Sequence, residues 1–159
     1  MAEEERRIPV GQKVIEHELT TKAPPATVFA LLVDGSTWPE WSPIGSFELV
    51  EKGNGEPEGV GALRIFRTGR IASKERVTLV RPNEIFAYEL VAGLAIRDYG
   101  AVVRLQPSGV GTRISWRSTF RPKFPGTGWV YQRQLGRFIG LTVNGLAAAA
   151  ESASIAGTL

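Results

Sequence analysis

The chain has 159 residues, a formal net charge of +3, one histidine and no cysteine, and its length is typical of one domain. The absence of cysteine excludes disulfides, thiolate nucleophiles and cysteine-ligated metals, the small charge does not indicate nucleic-acid binding, and no apolar run approaches the roughly 18 residues of a membrane span. We therefore expect a cytoplasmic protein that binds no nucleic acid, metal or other cofactor and is not an integral membrane protein.

The N-terminal part of the chain predicts a tail, a strand and two short helices. Residues 1–11 are charged and contain a proline and a glycine, which indicates a flexible tail. The apolar–polar alternation of KVIEHELTT (13–21) predicts a half-buried strand. Pro24 and Pro25 begin the segment APPATVFALLVD, whose apolar residues are spaced as in a short amphipathic helix. In WPEWSP (38–43), the two prolines limit any helix to a turn or two.

The middle of the chain, from residue 45 to residue 121, alternates apolar-rich segments with turn sequences. These segments are SFELVEK, ALRIFRT, IASKERVTLV, IFAYELV, IRDYGAVVRL and TRISWRSTF. Their connections are too short for crossover helices, so an antiparallel meander is predicted. The C-terminal segment GTGWVYQRQLGRFIGLTVNGLAAAAESA instead has an apolar stripe at helical spacing over about five turns, with Thr127 as a candidate N-cap. Such a helix must pack its apolar face on the sheet.

This order of elements, with these residues, resembles the START/Bet v 1-like (SRPBCC) superfamily, and within it the polyketide cyclase/dehydrase-like branch. The segments that carry the resemblance are APPATVFALLVD followed by WPEWSP, GVGA at the start of a strand, ERVTLVRPNEIFAYEL, and GVGTRISW before the long helix. The resemblance implies an α+β helix-grip fold, in which a curved seven-stranded antiparallel sheet surrounds the C-terminal helix and two short helices follow strand 1. It implies one domain at residues 12–151, with tails at 1–11 and 152–159.

The same resemblance implies a cavity for an apolar ligand between the sheet and the long helix. It places Trp38 and Trp41 near one end of the sheet, and one helical turn would put both rings on the same side. The two rings either plug this end or line the ligand entrance, and the two roles are compatible. From the inward faces of the elements we expect the following ligand-binding residues: Trp38, Trp41, Leu63, Ile65, Val77, Phe86, Tyr88, Tyr99, Val103, Trp116, Ser118, Leu135, Phe138 and Ile139.

These inward faces are assigned from the alternation of side chains along each strand. The alternation places Leu63 and Ile65 inward on one strand and Leu79 inward on the next. It also points several polar side chains inward, and each of them needs a partner, water or a ligand because burying an unpaired polar group costs free energy. These polar side chains are His17, Glu75, Tyr88, Tyr99 and Ser118.

His17 and Glu75 are the candidates for acid–base catalysis. Histidine suits proton transfer near neutral pH, and Glu75 could orient His17 or hold a ligand hydroxyl. Both also have a structural interpretation, in which His17 is half exposed or bonds to the next strand and Glu75 pairs with Arg64 or Arg76, or is exposed at a bulge. Neither residue amounts to a catalytic signature, and the sequence has no phosphate-loop or HExxH motif.

Two further features concern the long helix and the loop before it. Gly136, Gly140 and Gly145 interrupt the helix, at a cost of roughly 0.5–1 kcal/mol each relative to alanine. They indicate either close approach to the sheet or room for a ligand. Arg121 and Lys123, in the loop FRPKFPGTG, form either a solvated face or a basic rim that attracts an acidic ligand or a membrane surface.

Three functions are compatible with the sequence. The first is a binding or carrier protein, a monomer or homodimer, for an apolar or aromatic small molecule of the polyketide, fatty acyl or isoprenoid type. The second is a polyketide cyclase or dehydratase, in which the cavity orients a poly-ketone and His17, Glu75 or a tyrosine moves protons. The third is a regulatory interaction module. We expect the first, because the cavity fold is combined with few reactive groups.

Overall fold

The alternating segments form seven strands, as the sequence predicts. This computed structural model describes residues 11–157, so the predicted N-terminal tail falls outside the described residues except for Gly11. The strands are β1 (Lys13–Thr21), β2 (Ser46–Glu51), β3 (Leu63–Thr68), β4 (Ile71–Arg81), β5 (Ile85–Ala92), β6 (Ile96–Ser108) and β7 (Gly111–Pro122). They make one antiparallel sheet in the order β1-β7-β6-β5-β4-β3-β2, in which β2 to β7 are the predicted meander.

Proline positions account for the two short helices between β1 and β2. Helix α1 (Pro25–Val33) begins at a proline, where the missing N–H costs no helical hydrogen bond. Helix α2 (Trp38–Trp41) has a proline as its second residue. A 3-10 turn (Gly35–Thr37) joins α1 to α2. Together with the sheet and the long helix, these elements confirm the predicted helix-grip fold.

The C-terminal helix α3 (Gly128–Ala156) is the long helix that the apolar stripe predicts. It continues past the predicted domain boundary, so residues 152–156 are helical. Thr127 precedes it, but its hydroxyl donates to the carbonyl of Phe124 and caps no helical N–H. Among the described residues, α3 is the helix long and apolar enough to cross a membrane. Here one face of it packs on β1 and β7 and buries Ile139, Thr142, Val143, Leu146, Ala147 and Ala150.

Two of the three glycines inside α3 lie where the helix meets other elements. At Gly145, an added Cβ would overlap the carbonyl oxygen of Trp41. At Gly140, it would lie 3.0 Å from the imidazole ring of His17. A Cβ at Gly136 would meet nothing within 4 Å. Close packing therefore accounts for Gly140 and Gly145, whereas open space lies beside Gly136.

The inward face of β3 is the reverse of the predicted one. Arg64 and Phe66 are buried, and Phe66 pairs across the sheet with the inward-facing Phe47. Leu63 and Ile65 alternate with them and belong to the other face of the strand, although Leu63 is also buried. The predicted inward orientation of Leu63 and Ile65 is therefore wrong, because an arginine in a strand is normally assigned to the solvent side.

An irregularity in β4 reverses the alternation in its second half. The register against β5 shifts between Val77 and Leu79, as at a β-bulge, where the extra residue turns the following side chains to the opposite face. Val77 is buried, whereas Leu79 is 39% exposed. The predicted inward orientation of Leu79 is wrong for this reason.

Candidate functional site

A small internal cavity lies between the sheet and α3. Its volume is about 50 Å³, which exceeds the roughly 10–15 Å³ that one water molecule needs but is far below the roughly 300 Å³ of a small-molecule pocket. Most of the lining is aromatic or aliphatic, and the full set is Trp38, Ile44, Phe66, Thr68, Ser73, Glu75, Tyr88, Leu90, Leu94, Tyr99, Trp116, Leu135, Phe138, Ile139 and Thr142. Side chains thus fill most, but not all, of the space between sheet and helix.

A larger groove, which we call the outer groove, adjoins this inner cavity. Its volume is about 340 Å³, and it is lined by Thr68, Ile71, Ser73, Gly93, Leu94, Ala95, Tyr131, Gln134, Leu135 and Phe138. These residues come from β3, β4, the turn between β5 and β6, and the first half of α3. The residues that line both spaces are Thr68, Ser73, Leu94, Leu135 and Phe138. The two spaces are therefore neighbours, and these five residues form the wall between them.

The two tryptophans of α2 pack together at the wall of the inner cavity. Their ring centroids are 5.1 Å apart, and the ring of Trp38 stacks on Phe66 at 4.8 Å. The indole N–H of Trp38 donates to the carbonyl of Leu32, and that of Trp41 donates to the hydroxyl of Thr37. Trp38 lines the cavity, whereas Trp41 is buried behind it. Both rings are thus buried, and that of Trp38 faces the cavity.

Polar side chains from four neighbouring strands meet around the cavity. Glu75 on β4, Tyr88 on β5 and Tyr99 on β6 line it, and the hydroxyl groups of Tyr99 and Ser118 on β7 are hydrogen-bonded at 3.1 Å. Of the cavity-lining side chains among the described residues, Glu75 Oε2 and the indole N–H of Trp116 are buried without a hydrogen-bond partner; Arg64 Nε and Nη2, which do not line the cavity, also lack one. An unsatisfied buried group costs about 1–3 kcal/mol. A ligand or water in the cavity could recover this free energy.

Arg64 lies behind this polar group and is completely buried. Its Nη1 is 3.4 Å from Glu58 Oε1, and its Nη2 is 3.8 Å from Glu75 Oε2. The guanidinium also lies 4.9–5.3 Å from the centroids of three aromatic rings, those of Trp38, Phe66 and Phe86. A buried charge is tolerated only when it is paired. Here two carboxylates and three ring faces compensate the guanidinium.

Burial sets the protonation of the groups around the cavity. It raises the pKa of Glu75 from its ordinary value of 4.5 to about 7, although the nearby Arg64 acts in the opposite direction. Burial also raises the pKa of Glu58, although the hydrogen bond that this carboxylate accepts from the Gly35 N–H acts to lower it. It raises the pKa of Tyr99 to about 12 and that of Tyr88 well above its ordinary value. The pKa of Glu75 thus lies near neutral pH.

His17 lies apart from this polar group. Its Nε2 donates to the carbonyl of Gly136 at 2.7 Å, and its ring packs against Gly140. Strands β5, β6 and β7 separate β1, which carries His17, from β4, which carries Glu75. The structure therefore does not bring the two catalytic candidates together. Glu75 lies beside Arg64, as the structural interpretation of this residue predicts. It also lines the cavity.

The predicted ligand-binding residues fall into three groups. Those that line the inner cavity are Trp38, Tyr88, Tyr99, Trp116, Leu135, Phe138 and Ile139. Those that are buried nearby without lining it are Trp41, Val77, Phe86, Val103 and Ser118. Leu63 and Ile65 belong to the opposite face of β3. The sequence thus placed the α3 residues and Trp38, Tyr88, Tyr99 and Trp116 at the cavity, but not Phe86 or the β3 residues.

Several lining residues were missing from the predicted set. Phe66 and Thr68 were missed because the alternation in β3 was assigned to the wrong face. The phenylalanine itself was a usable signal, since an aromatic side chain in a strand favours the buried face. Ile44 and Leu94 come from loops, where no periodicity applies, and no sequence signal identified Thr142 on α3.

Comparison with known proteins gives a family match over most of the chain. A family model described as polyketide cyclase/dehydrase and lipid transport matches residues 12–151. No curated protein matches the chain at significant similarity. The family match therefore covers β1 to α3, including every element that lines the two spaces.

Solved structures show the same fold. A START superfamily protein from Mycobacterium smegmatis has a TM-score of 0.76 and 14% sequence identity, over 87% of this chain and 97% of that one. The crystal structure of Ara h 8.0201 has a TM-score of 0.71 and 24% identity, over 89% of this chain and 99% of that one. At these identities the likeness establishes the fold alone.

Proposed function

Because the chain belongs to the polyketide cyclase/dehydrase and lipid transport family, we propose that it binds an apolar or aromatic small molecule between its sheet and α3. The ligand is of the polyketide, fatty acyl or isoprenoid type. The absence of cysteine fits action in a reducing cytoplasm. Binding and transport of such a ligand require no reactive side chain, only a space that excludes water.

The observation that carries this proposal is that the outer groove and the inner cavity adjoin and share part of their lining. The outer groove, at about 340 Å³, falls in the range of roughly 300–1,000 Å³ typical of small-molecule pockets, which are apolar with a few placed polar groups. Leu94, Leu135 and Phe138 line both spaces. The ligand body lies in the outer groove, and one end passes these three side chains and reaches Glu75.

We expect freshly purified protein to carry an apolar compound, which native mass spectrometry and solvent extraction will detect and identify. We also expect it to bind the neutral aromatic probe 2-methoxynaphthalene, measured by NMR titration of the ¹⁵N-labelled protein. Ala95→Phe places a ring in the outer groove and should weaken probe binding by about tenfold or more, equivalent to about 1.4 kcal/mol.

The matched control is Ala72→Phe. Ala72 is exposed and pairs with the solvent-facing Arg67 on the outer side of the sheet, so its ring should leave probe affinity unchanged. Equal weakening by the two variants would place the binding site elsewhere. Absence of both a co-purified compound and probe binding would contradict the proposed function.

The second candidate function is a polyketide cyclase or dehydratase reaction in the same space. The observation that favours it is Glu75, a buried carboxyl with a pKa of about 7 that lines the cavity beside Tyr88 and Tyr99. A group that gains and loses a proton near the working pH is suited to general acid–base catalysis. His17, the other candidate, does not reach the cavity.

For an enzyme of this kind we expect Glu75→Gln to lower kcat for a poly-β-ketone thioester by about 100-fold or more, whereas His17→Gln changes it by less than about twofold. The formation of the aromatic product can be followed by its absorbance. Glu75→Gln must first be shown to be folded by its circular dichroism spectrum. An unchanged rate in that folded variant would exclude Glu75 as the acid–base group.

A further inference from the structure

Four buried side-chain atoms lack a hydrogen-bond partner among the described residues. Two of them, Arg64 Nε and Nη2, do not reach the inner cavity, and Nη2 lies 3.8 Å from Glu75 Oε2, within ion-pair range but beyond a hydrogen bond. The other two belong to side chains that line the inner cavity: Trp116 Nε1, which can only donate, and Glu75 Oε2. Trp116 is 1% exposed and Glu75 is 9% exposed, so bulk solvent does not satisfy either atom. Buried polar atoms in folded proteins are nearly always hydrogen-bonded. A partner that enters the cavity, either water or a ligand group that replaces it, would satisfy both atoms.

We infer that the ligand carries a hydroxyl group, as an alcohol or a phenol, at the end that enters the inner cavity. This inference rests on the proposed function and specifies the ligand class. A hydroxyl can accept and donate at the same time: its oxygen accepts from Trp116 Nε1, and its O–H donates to Glu75 Oε2. When Glu75 is ionised, an ether or a ketone can accept from the indole but cannot donate to the carboxylate, and a hydrocarbon satisfies neither atom. The comparison of ligands is therefore made at pH 8, above the pKa of about 7 that burial gives Glu75.

The charges around the cavity oppose a ligand carboxylate. Glu58 and Glu75 are the acidic groups on this side, and both face Arg64. Arg64 is the cation that could attract an anion, but it does not line the cavity, and it is already paired with these carboxylates and enclosed by aromatic rings. A ligand carboxylate would thus be buried directly against Glu75, and like charges at close range in a low dielectric repel strongly.

Among the described residues, the other elements packed around Glu75 place no positively charged side chain at the cavity that could pair with a ligand carboxylate. Strands β5 and β6 present the hydroxyl groups of Tyr88 and Tyr99, whose raised pKa keeps both neutral. Helix α3 presents only uncharged side chains to the cavity, namely Leu135, Phe138, Ile139 and Thr142. A neutral hydroxyl matches these surroundings in either protonation state of Glu75, because a protonated carboxyl can still accept through its second oxygen.

The size of the inner cavity limits what enters it. At about 50 Å³ it is well below the engineered cavity of about 150 Å³ that holds benzene. Only the hydroxyl and the carbon that bears it fit inside, and the remaining body lies in the outer groove past Leu94, Leu135 and Phe138. A ring with a hydroxyl at one edge has the shape that this arrangement requires.

The test titrates the full chain, ¹⁵N-labelled, with three probes that share one ring system: 2-naphthol, 2-methoxynaphthalene and 2-naphthoate. We expect 2-naphthol to bind about tenfold or more tighter than either of the others, because only it makes both hydrogen bonds. It should also move the indole N–H resonance of Trp116 downfield. Trp116→Phe keeps a ring but removes the donor, and should remove most of the preference for 2-naphthol over 2-methoxynaphthalene.

Trp41→Phe is the matched control, because the indole N–H of Trp41 already donates to Thr37; it should keep the preference. Equal binding of 2-naphthol and 2-methoxynaphthalene by the wild-type chain would overturn the inference and leave the proposed function standing. Tighter binding of 2-naphthoate would overturn it in favour of an anion at Arg64. Failure of all three probes to bind would count against the proposed function itself. The wild-type comparison does not depend on any variant folding.

Discussion

Arg64→Met is expected to lower the free energy of unfolding by about 3–5 kcal/mol at pH 8, the range found when one partner is removed from a buried ion pair. The substitution leaves the carboxylates of Glu58 and Glu75 without the cation that both of them face. It also removes the contacts of the guanidinium with three aromatic rings. Methionine keeps an unbranched, flexible side chain, so the loss reports the missing charge more than a cavity. Urea unfolding followed by tryptophan fluorescence measures it.

Arg67→Met is the matched control on the same strand. Arg67 is 48% exposed, and its Nη1 lies 3.0 Å from Glu48 at the surface. An exposed ion pair contributes only about 0–1 kcal/mol, so this variant should lose no more than that. A loss of the same size in both variants would contradict the buried pair as the cause. A loss below about 1 kcal/mol in Arg64→Met would show that the guanidinium is not paired in the interior as described.

The strands and helices could be predicted because their signals are local, whereas their helix-grip arrangement was expected from the family resemblance. Strand β7 shows this clearly, since Ile114, Trp116, Ser118 and Phe120 alternate with exposed or half-exposed residues and all four are buried. The prolines at the start of α1 and within α2 fix the helical turns by removing N–H groups that a helix end does not need. The stripe on α3 follows from one helix face packing on the sheet. Each of these features depends only on residues close together in the sequence.

The site was predictable only in part, because a cavity depends on how distant side chains fill space. Trp116 and Val103 are both inward and directly opposite each other on β7 and β6, yet only Trp116 lines the cavity. The sequence pattern is the same for Trp116 and Val103, so it cannot tell which of the two lines the cavity. Protein interiors are close-packed, and the position of a small void depends on how well many distant side chains fill the available volume. The burial of Arg64 is the other feature of the site that the sequence did not predict. A fully buried arginine is explained by Glu58, which precedes β3, and by ring faces from α2 and β5, none of which its own strand reveals.

Glu75→Gln is expected to raise the free energy of unfolding by about 3 kcal/mol at pH 8 and to leave it nearly unchanged at pH 4. Burial raises the pKa of Glu75 from 4.5 to about 7 in the folded protein, so the folded state holds this proton more tightly than the unfolded state does. The stability that this group contributes is complete below pH 4.5 and is lost as the pH rises through about 7. At about 1.4 kcal/mol per pKa unit, the loss reaches about 3 kcal/mol. Glutamine resembles the neutral form of Glu75 and cannot ionise, so the variant does not lose this stability at high pH.

Urea unfolding of the wild type and of Glu75→Gln at intervals from pH 4 to pH 8 measures this difference. Glu48→Gln is the control, because Glu48 is 52% exposed in its surface pair with Arg67 and its replacement should change stability by no more than about 1 kcal/mol across the range. If the free energy of unfolding rises relative to the wild type with increasing pH in Glu75→Gln but not in Glu48→Gln, the cost of burying the Glu75 carboxylate is larger than its attraction to Arg64. If Glu75→Gln is instead destabilised at pH 8, the attraction of Arg64 is the larger effect. Glu75 would then be fully ionised at neutral pH, which would remove the basis for its proton exchange in a cyclase but keep its role as a hydrogen-bond acceptor for a ligand hydroxyl.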